Sequence, residues 1–117
     1  MRALTIRQPW ASLIASGAKR LENRSWSPPA DMIGQRIAIH AGQGWDGKRA
    51  QELVGCDLRR EDCPAGLVVC TAVIDSVVDH SEDPYWIGPL AWVLRDVEQA
   101  TSPPTRGKLG LWRMDQA

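Results

Sequence analysis

The sequence predicts an α+β domain: a small, mixed β-barrel of five to six strands with two helices on its rim. Short stretches rich in β-branched residues recur along the chain, separated by glycines and prolines, which is typical of strands joined by turns. Two segments instead repeat their apolar residues at the spacing of a helix. Several short strands with few helices favour a partly closed barrel. The length of 117 residues fits a single domain over residues 1–117.

The first predicted elements are a strand over residues 3–7 and a short helix. Apolar and polar residues alternate in the strand. Pro9 suits the first helical position because its missing N–H needs no partner there. An apolar stripe at helical spacing begins at Trp10, and Gly17 is expected to end the helix in a left-handed conformation.

A second strand is predicted over residues 19–26 and a third over residues 36–41. Two consecutive prolines follow the second strand and predict a loop between the two. Because side chains alternate between the faces of a strand, Glu22, Arg24 and Trp26 are expected on one face of the second strand.

A second helix is predicted over residues 46–54, after the glycine-rich residues 42–44 end the third strand. Asp46 is expected to cap the start of this helix, and Leu53 to face inward. The remaining strands are predicted at residues 67–78, which form the most apolar stretch, from residues 91–94 onward and at residues 109–112.

Charge is distributed unevenly although the net charge is zero. Residues 1–49 contain eight basic and three acidic side chains, whereas residues 50–117 contain six basic and eleven acidic ones. A basic half of this kind suggests a surface that faces a polyanion. The alternatives are that the asymmetry arises by chance, or that the two halves attract each other within the fold.

Composition excludes several other classes of protein. No apolar run approaches the roughly 20 residues that cross a bilayer, and no signal sequence is recognised, so we expect an intracellular, cytoplasmic protein with no membrane partner. Cys56, Cys63 and Cys70 lack the close pairing of zinc ligands, so no metal and no cofactor are expected. Cys70 lies in an apolar strand and is expected in the core.

Three short motifs stand out in the sequence: residues 4–14 read LTIRQPWASLI, residues 17–26 read GAKRLENRSW, and residues 107–112 read GKLGLW. Together they resemble the ASCH domain family, named for activating signal cointegrator homology and part of the PUA-like superfamily. The N-terminal segment is similar to the coactivator-type branch of the family. The resemblance implies a PUA-like barrel with a cleft beside the first helix, and a function in binding RNA or DNA.

The residue types of the motif suit a ligand with a charged backbone and flat bases. Lys19 follows the turn at Gly17, and Glu22 and Arg24 are close enough on one strand face to form an ion pair. Such a pair directs the outer edge of the guanidinium towards a phosphate or a base. Trp10 and Trp26 provide aromatic faces for stacking. In the alternative interpretation the ion pair is only a rim contact and both tryptophans belong to the core.

We therefore expect a nucleic-acid-binding module for RNA, single-stranded DNA or a modified nucleotide. The binding residues predicted for its cleft are Arg7, Gln8, Trp10, Lys19, Glu22, Arg24 and Trp26.

An enzyme using the same cleft is the first alternative. Some bacterial members of the family are amidohydrolases of acylated cytidine or ribonucleases, so the resemblance implies Lys19 and Glu22 as catalytic candidates. In the amidohydrolase branch a threonine nucleophile stands where this chain has Glu22, which could instead activate water. Asp75 is the candidate for the acid on a later strand, and His40 is a candidate base for a ribonuclease.

A protein-interaction domain that uses the acidic half is the second alternative. Tyr85 and Trp86, between a proline and a glycine, are expected to form either a lid over the cleft or a packed turn. The oligomeric state and the choice between RNA and DNA stay open.

Overall fold

The structure, a computed structural model, describes residues 1–114. Six strands form one sheet that is curled into a half-barrel, and two α-helices accompany it. Single 3-10 turns lie at Ala30–Met32 and Arg60–Asp62. In chain order the main elements are β1 (Arg2–Gln8), α1 (Trp10–Ala15), β2 (Leu21–Arg24), β3 (Arg36–Trp45), α2 (Gly47–Val54), β4 (Leu67–Val78), β5 (Leu90–Gln99) and β6 (Leu111–Arg113).

The strand order across the sheet is β2-β5-β4-β3-β1-β6. β1 pairs with β3 in parallel, and the other neighbours are antiparallel, so the sheet is mixed as predicted. β1 and β2 are consecutive in the sequence but lie at opposite sides of the sheet, and its curl brings them back together. Arg24 of β2 bridges the gap by donating from Nη2 to the carbonyl oxygen of Thr5 in β1, at 3.0 Å.

The core lies between the sheet and α1. This helix contacts β1, β3, β4 and β5, and its apolar side chains are buried. A six-residue helix is too short to be stable by itself, so burial of these side chains must hold it in place. The largest fully buried apolar side chains are Leu4, Ile14, Ile37, Ile39, Ile74, Trp92 and Leu94.

Several sequence-based predictions are confirmed. β4 begins and ends at the predicted residues 67 and 78. Gly17 adopts a left-handed conformation, with φ of 86°, where the chain leaves α1. Cys70 is fully buried, and burial raises the pKa of its thiol to about 11.

The predicted end of the third strand at residues 42–44 is wrong. β3 continues to Trp45, which pairs with Gln8 of β1. The glycines are accommodated because side chains of β1 cover them: a Cβ atom on Gly44 would lie 2.2 Å from Nη1 of Arg7. Because glycine has no side chain, Arg7 has room beside the strand, and the strand continues through the glycines.

The second strand, the second helix and the last strand also differ from expectation. β2 is shorter than predicted, so Trp26 lies beyond its end. The side chain of Asp46 makes no capping hydrogen bond to α2, and Leu53 is exposed. β6 begins at Leu111, two residues later than predicted.

None of the helices within residues 1–114 combines the length and the apolar character that a membrane crossing requires.

Candidate functional site

A cleft of about 340 Å³ opens at the junction of β1 and β2, beside the first turn of α1. Its position follows from the topology, because these two strands approach each other without being paired in the sheet. α2 and the segment of residues 85–88 complete its walls. The cleft is lined by Thr5, Ile6, Arg7, Trp10, Lys19, Glu22, Asn23, Arg24, Asp46, Arg49, Tyr85, Ile87 and Gly88.

Three charged residues of the predicted motif form one cluster in the cleft. The Nζ atom of Lys19 lies 3.0 Å from Oε1 of Glu22, and it also donates to the carbonyl oxygen of Leu21. Nε of Arg24 donates to Oε2 of the same carboxylate, at 3.0 Å. Lys19 and Glu22 are only 3% and 6% exposed. One carboxylate thus orients two cations. The attraction between the carboxylate and each cation offsets part of the cost of burying these charges.

The positions of these residues follow from the turn at Gly17. After that turn, the backbone N–H of Lys19 donates to the carbonyl oxygen of Leu13 in α1, at 3.1 Å. The side chain is thereby directed under the helix, where Nζ lies 5.8 Å from the centre of the Trp10 ring. An ammonium at this distance from an indole is attracted to its π-electrons.

Trp10 forms the aromatic wall of the cleft together with Tyr85. The two rings meet edge to face, with centroids 6.5 Å apart and planes at 83°. Nε1 of Trp10 donates to Oδ2 of Asp46, at 3.0 Å, which fixes the orientation of the indole. Trp10 therefore belongs both to the core and to the cleft, so the two sequence-based interpretations of this residue are not exclusive.

Arg7 and Asp46 form an ion pair with two hydrogen bonds at the mouth of the cleft. Nε and Nη2 of Arg7 donate to the two carboxylate oxygens, at 2.9 and 2.8 Å. The bond from Arg7 lowers the pKa of Asp46 below its ordinary value, partial burial opposes this effect, and the bond from Trp10 adds to it. The Arg7 side chain is 59% exposed, so it remains accessible from solvent. Arg49, also exposed, lies on the same rim.

Asn23 ties the segment of residues 85–88 to the cleft. Its Oδ1 accepts hydrogen bonds from the backbone N–H groups of Ile87 and Gly88, at 2.9 and 3.0 Å. Its Nδ2 donates to the carbonyl oxygen of Tyr85, at 2.9 Å. Of the two predicted alternatives for this segment, the structure shows a turn that is fastened in place.

Gln8 and Trp26 do not line the cleft, although both were predicted there. Gln8 is buried and its amide bonds to Ser12 and to the carbonyl oxygen of Pro64, so it joins α1 to a distant loop. Trp26 is half-buried and packs edge to face on Trp92 of the core, with centroids 5.0 Å apart.

His40 and Asp75 also lie away from the cleft. His40 is buried against Trp112 and its ring nitrogens bond to Thr5 and Thr105. Asp75 is an exposed residue of β4 whose Oδ1 accepts a hydrogen bond from Arg95, at 2.9 Å. Neither candidate acid or base is thus brought to the Lys19–Glu22 pair.

Sequence reasoning missed Asn23, Asp46 and Arg49 as cleft residues. Asn23 lies inside the recognised motif, between Glu22 and Arg24, which was a usable signal. Asp46 and Arg49 line the cleft only because β3 continues through the glycines, so that α2 begins beside β1. No local sequence pattern predicts this contact between α2 and β1.

Comparison with known proteins identifies the family and the fold of this chain. The family model described as the ASCH domain matches residues 4–86. No curated protein sequence matches the chain. A crystal structure of a serine-to-alanine mutant of the ASCH protein from Zymomonas mobilis is similar, with a TM-score of 0.55 and 18% identity over 84% of this chain and 69% of that chain.

A second crystal structure, of the ASCH protein from the same organism, has a TM-score of 0.49 and 19% identity over 84% of this chain and 68% of that chain. At such identity the first structure shows a shared fold. Because the family model covers most of the chain, the chain belongs to the ASCH domain family.

Proposed function

We propose that this domain is a nucleic-acid-binding module whose cleft takes one nucleotide of RNA or single-stranded DNA. The observation that carries the proposal is the charge of the cleft. Four of its lining residues are cationic, Arg7, Lys19, Arg24 and Arg49, whereas two are acidic, Glu22 and Asp46. An excess of positive charge favours a ligand that carries phosphate.

The size and the aromatic wall of the cleft support a single unstacked nucleotide. A volume of about 340 Å³ lies at the lower end of the range of about 300–1,000 Å³ for small-molecule pockets. Single strands present bases that can leave the stack and contact aromatic side chains, which Trp10 and Tyr85 supply here.

Arg24 is suited to contact the ligand directly. Its Nε and Nη2 atoms are held by Glu22 and by the carbonyl oxygen of Thr5. Within residues 1–114 its Nη1 atom makes no hydrogen bond to protein. A guanidinium fixed along one edge keeps its other edge in a defined direction, which favours recognition of a phosphate or a base edge.

The proposal is tested by titrating a labelled, mixed-sequence RNA of about twelve nucleotides. The exposed rim cations are removed in an Arg7→Gln/Arg49→Gln variant, because replacing the buried Lys19 would disturb the fold. The matched control is Arg59→Gln/Arg95→Gln, which removes two exposed cations that do not line the cleft. Anisotropy is measured at about 50 and about 200 mM salt.

We expect salt-sensitive binding by the wild type, a loss of about tenfold in affinity for the rim variant and a smaller loss for the control. Equal losses in both variants, or affinity that does not change with salt, would contradict the proposal. A gel of the same mixtures separates the alternatives: shortened RNA would indicate a ribonuclease. Absence of both binding and cleavage would favour a nucleoside hydrolase or a protein-interaction domain.

A further inference from the structure

A second pocket adjoins the cleft on the other side of Thr5. Thr5 lines both, so one residue of β1 separates them. This second pocket, here named the loop pocket, has a volume of about 360 Å³. Its walls are β1, β3 and the loop of residues 105–109 between β5 and β6. Residues two apart on a strand are separated by roughly 7 Å. Arg7 is two residues beyond Thr5 in β1, so the loop pocket lies close to Arg7.

The loop is fastened to the sheet by alternate residues. Thr105 donates from its backbone N–H to the carbonyl oxygen of Gly66, at 2.7 Å, and its own carbonyl oxygen lies 2.6 Å from Nε2 of His40. Gly107 packs so tightly on β1 that a Cβ atom there would lie 2.6 Å from Oγ1 of Thr5. The inward residues are therefore fixed before any ligand arrives.

Buried His40 has a positioning role in this arrangement. Since a carbonyl oxygen can only accept, Nε2 of His40 must carry the proton that is donated to Thr105. Nδ1 lies 3.2 Å from the hydroxyl oxygen of Thr5, and that oxygen accepts from Nε1 of Trp112, at 3.0 Å. The network holds the loop against β1.

The outward residues of the loop present two cations and one apolar side chain. Arg106 and Lys108 are exposed, and Leu109 is 99% exposed. Within residues 1–114 neither cation pairs with a carboxylate, whereas Arg59 and Arg95 elsewhere on the surface do. No acidic side chain from this described part of the chain lines the loop pocket.

The local charge is opposite to that of the surrounding sequence. Residues 50–99 contain three basic and ten acidic side chains, but residues 100–114 contain three basic ones and no acidic one. Because β6 pairs with β1, the basic residues 100–114 lie beside the basic N-terminal half of the chain. The cleft and the loop pocket both border β1, and basic side chains outnumber acidic ones in the lining of each.

We propose that the loop pocket is a second subsite that binds the phosphate and base of the nucleotide adjacent to the one in the cleft. Arg106 and Lys108 contact the phosphate, and Leu109 offers an apolar surface to the base. This inference rests on the proposed function of the cleft and deepens it: the ligand is a single-stranded polynucleotide and not a separate nucleotide.

The test compares two ligands and three proteins. The ligands are the RNA of about twelve nucleotides and a mixture of the four nucleoside 5′-monophosphates, followed by anisotropy and by tryptophan fluorescence respectively. The proteins are wild type, Arg106→Gln/Lys108→Gln and the control Arg59→Gln/Arg95→Gln, which removes the same charge elsewhere. Thermal unfolding confirms that each variant is folded.

We expect the loop variant to lose about tenfold more affinity for the RNA than for the monophosphates. Its plot of log affinity against log salt should be shallower by about 0.7, because the contact with one phosphate of a single strand is lost. Equal losses for both ligands, a loss matched by the control, or no loss would overturn the second subsite while leaving the cleft proposal intact. Failure of the wild type to bind either ligand would overturn both.

Discussion

Glu22 accepts hydrogen bonds from Lys19 on one carboxylate oxygen and from Arg24 on the other, each at 3.0 Å. Lys19 and Glu22 are almost fully buried, and Arg24 is partly exposed. Two cations thus depend on one anion at the floor of the cleft. If the anion is lost, two positive charges face each other in a site with little water, which is strongly unfavourable.

Replacing Glu22 with glutamine should therefore destabilise the protein. We expect Glu22→Gln to lower the free energy of unfolding by about 3 kcal/mol, because the substitution leaves a buried positive charge without its partner. Urea denaturation followed by tryptophan fluorescence measures this change. The control is Glu98→Gln: the Glu98 side chain is 68% exposed in its ion pair with Arg36, so its replacement should change stability by less than about 0.5 kcal/mol. Similar effects of the two substitutions would show that the cluster contributes no more than a surface pair.

The ion pair of Arg7 and Asp46 predicts a defined pH dependence. The pKa of Asp46 is lowered in the folded state, chiefly by the hydrogen bond from Arg7. A carboxyl with a lowered folded pKa stabilises the protein above its unfolded pKa, and this stabilisation is lost as the pH falls through the folded pKa.

The advantage of wild type over Asp46→Asn should accordingly be complete above a pH of about 5 and should shrink below about 4. Denaturation curves at several pH values provide the comparison. In an Arg7→Gln background the same substitution should show a weaker dependence. Parallel curves for wild type and Asp46→Asn at all pH values would refute the assignment.

Asn23 should control the mobility of residues 85–88, which form one wall of the cleft. Asn23→Ala removes all three hydrogen bonds to residues 85–88, and we expect faster hydrogen exchange at the amides of Ile87 and Gly88. Asn23→Asp keeps the oxygen that accepts from both amides, so its exchange should resemble that of the wild type more closely. If the two variants exchange alike, another contact holds the segment.

The reactivity of the cysteines offers a check on the core. Burial raises the pKa of the Cys70 thiol to about 11, so at pH 8 about one molecule in a thousand carries the reactive thiolate. Cys63 is also buried, and burial raises its pKa too. Cys56 is more accessible.

Iodoacetamide at pH 8 should therefore modify Cys56 first and leave Cys70 unmodified in the native protein, whereas all three react after denaturation. Mass spectrometry of tryptic peptides identifies the sites. Rapid modification of Cys70 under native conditions would mean that β4 is not in the core.

The sequence by itself determined the parts that local patterns encode. Alternation identifies β1, helical spacing identifies α1 and a long apolar stretch identifies β4. Gly17 marks the turn because glycine tolerates a positive φ. The motif also places Lys19, Glu22 and Arg24 together, since two of them lie two residues apart on one strand and the third lies just before it. These residues are close in sequence, so their proximity needs no knowledge of the fold.

Only the tertiary structure decided what surrounds that cluster. Contacts between residues far apart in the chain place Asp46 and Tyr85 in the cleft. Contacts of the same kind hold Gln8 and Trp26 outside it. Such contacts depend on how the sheet curls and which strands pair. A periodic pattern reports the face on which a side chain lies, whereas the partner across that face is set by the packing of the whole sheet.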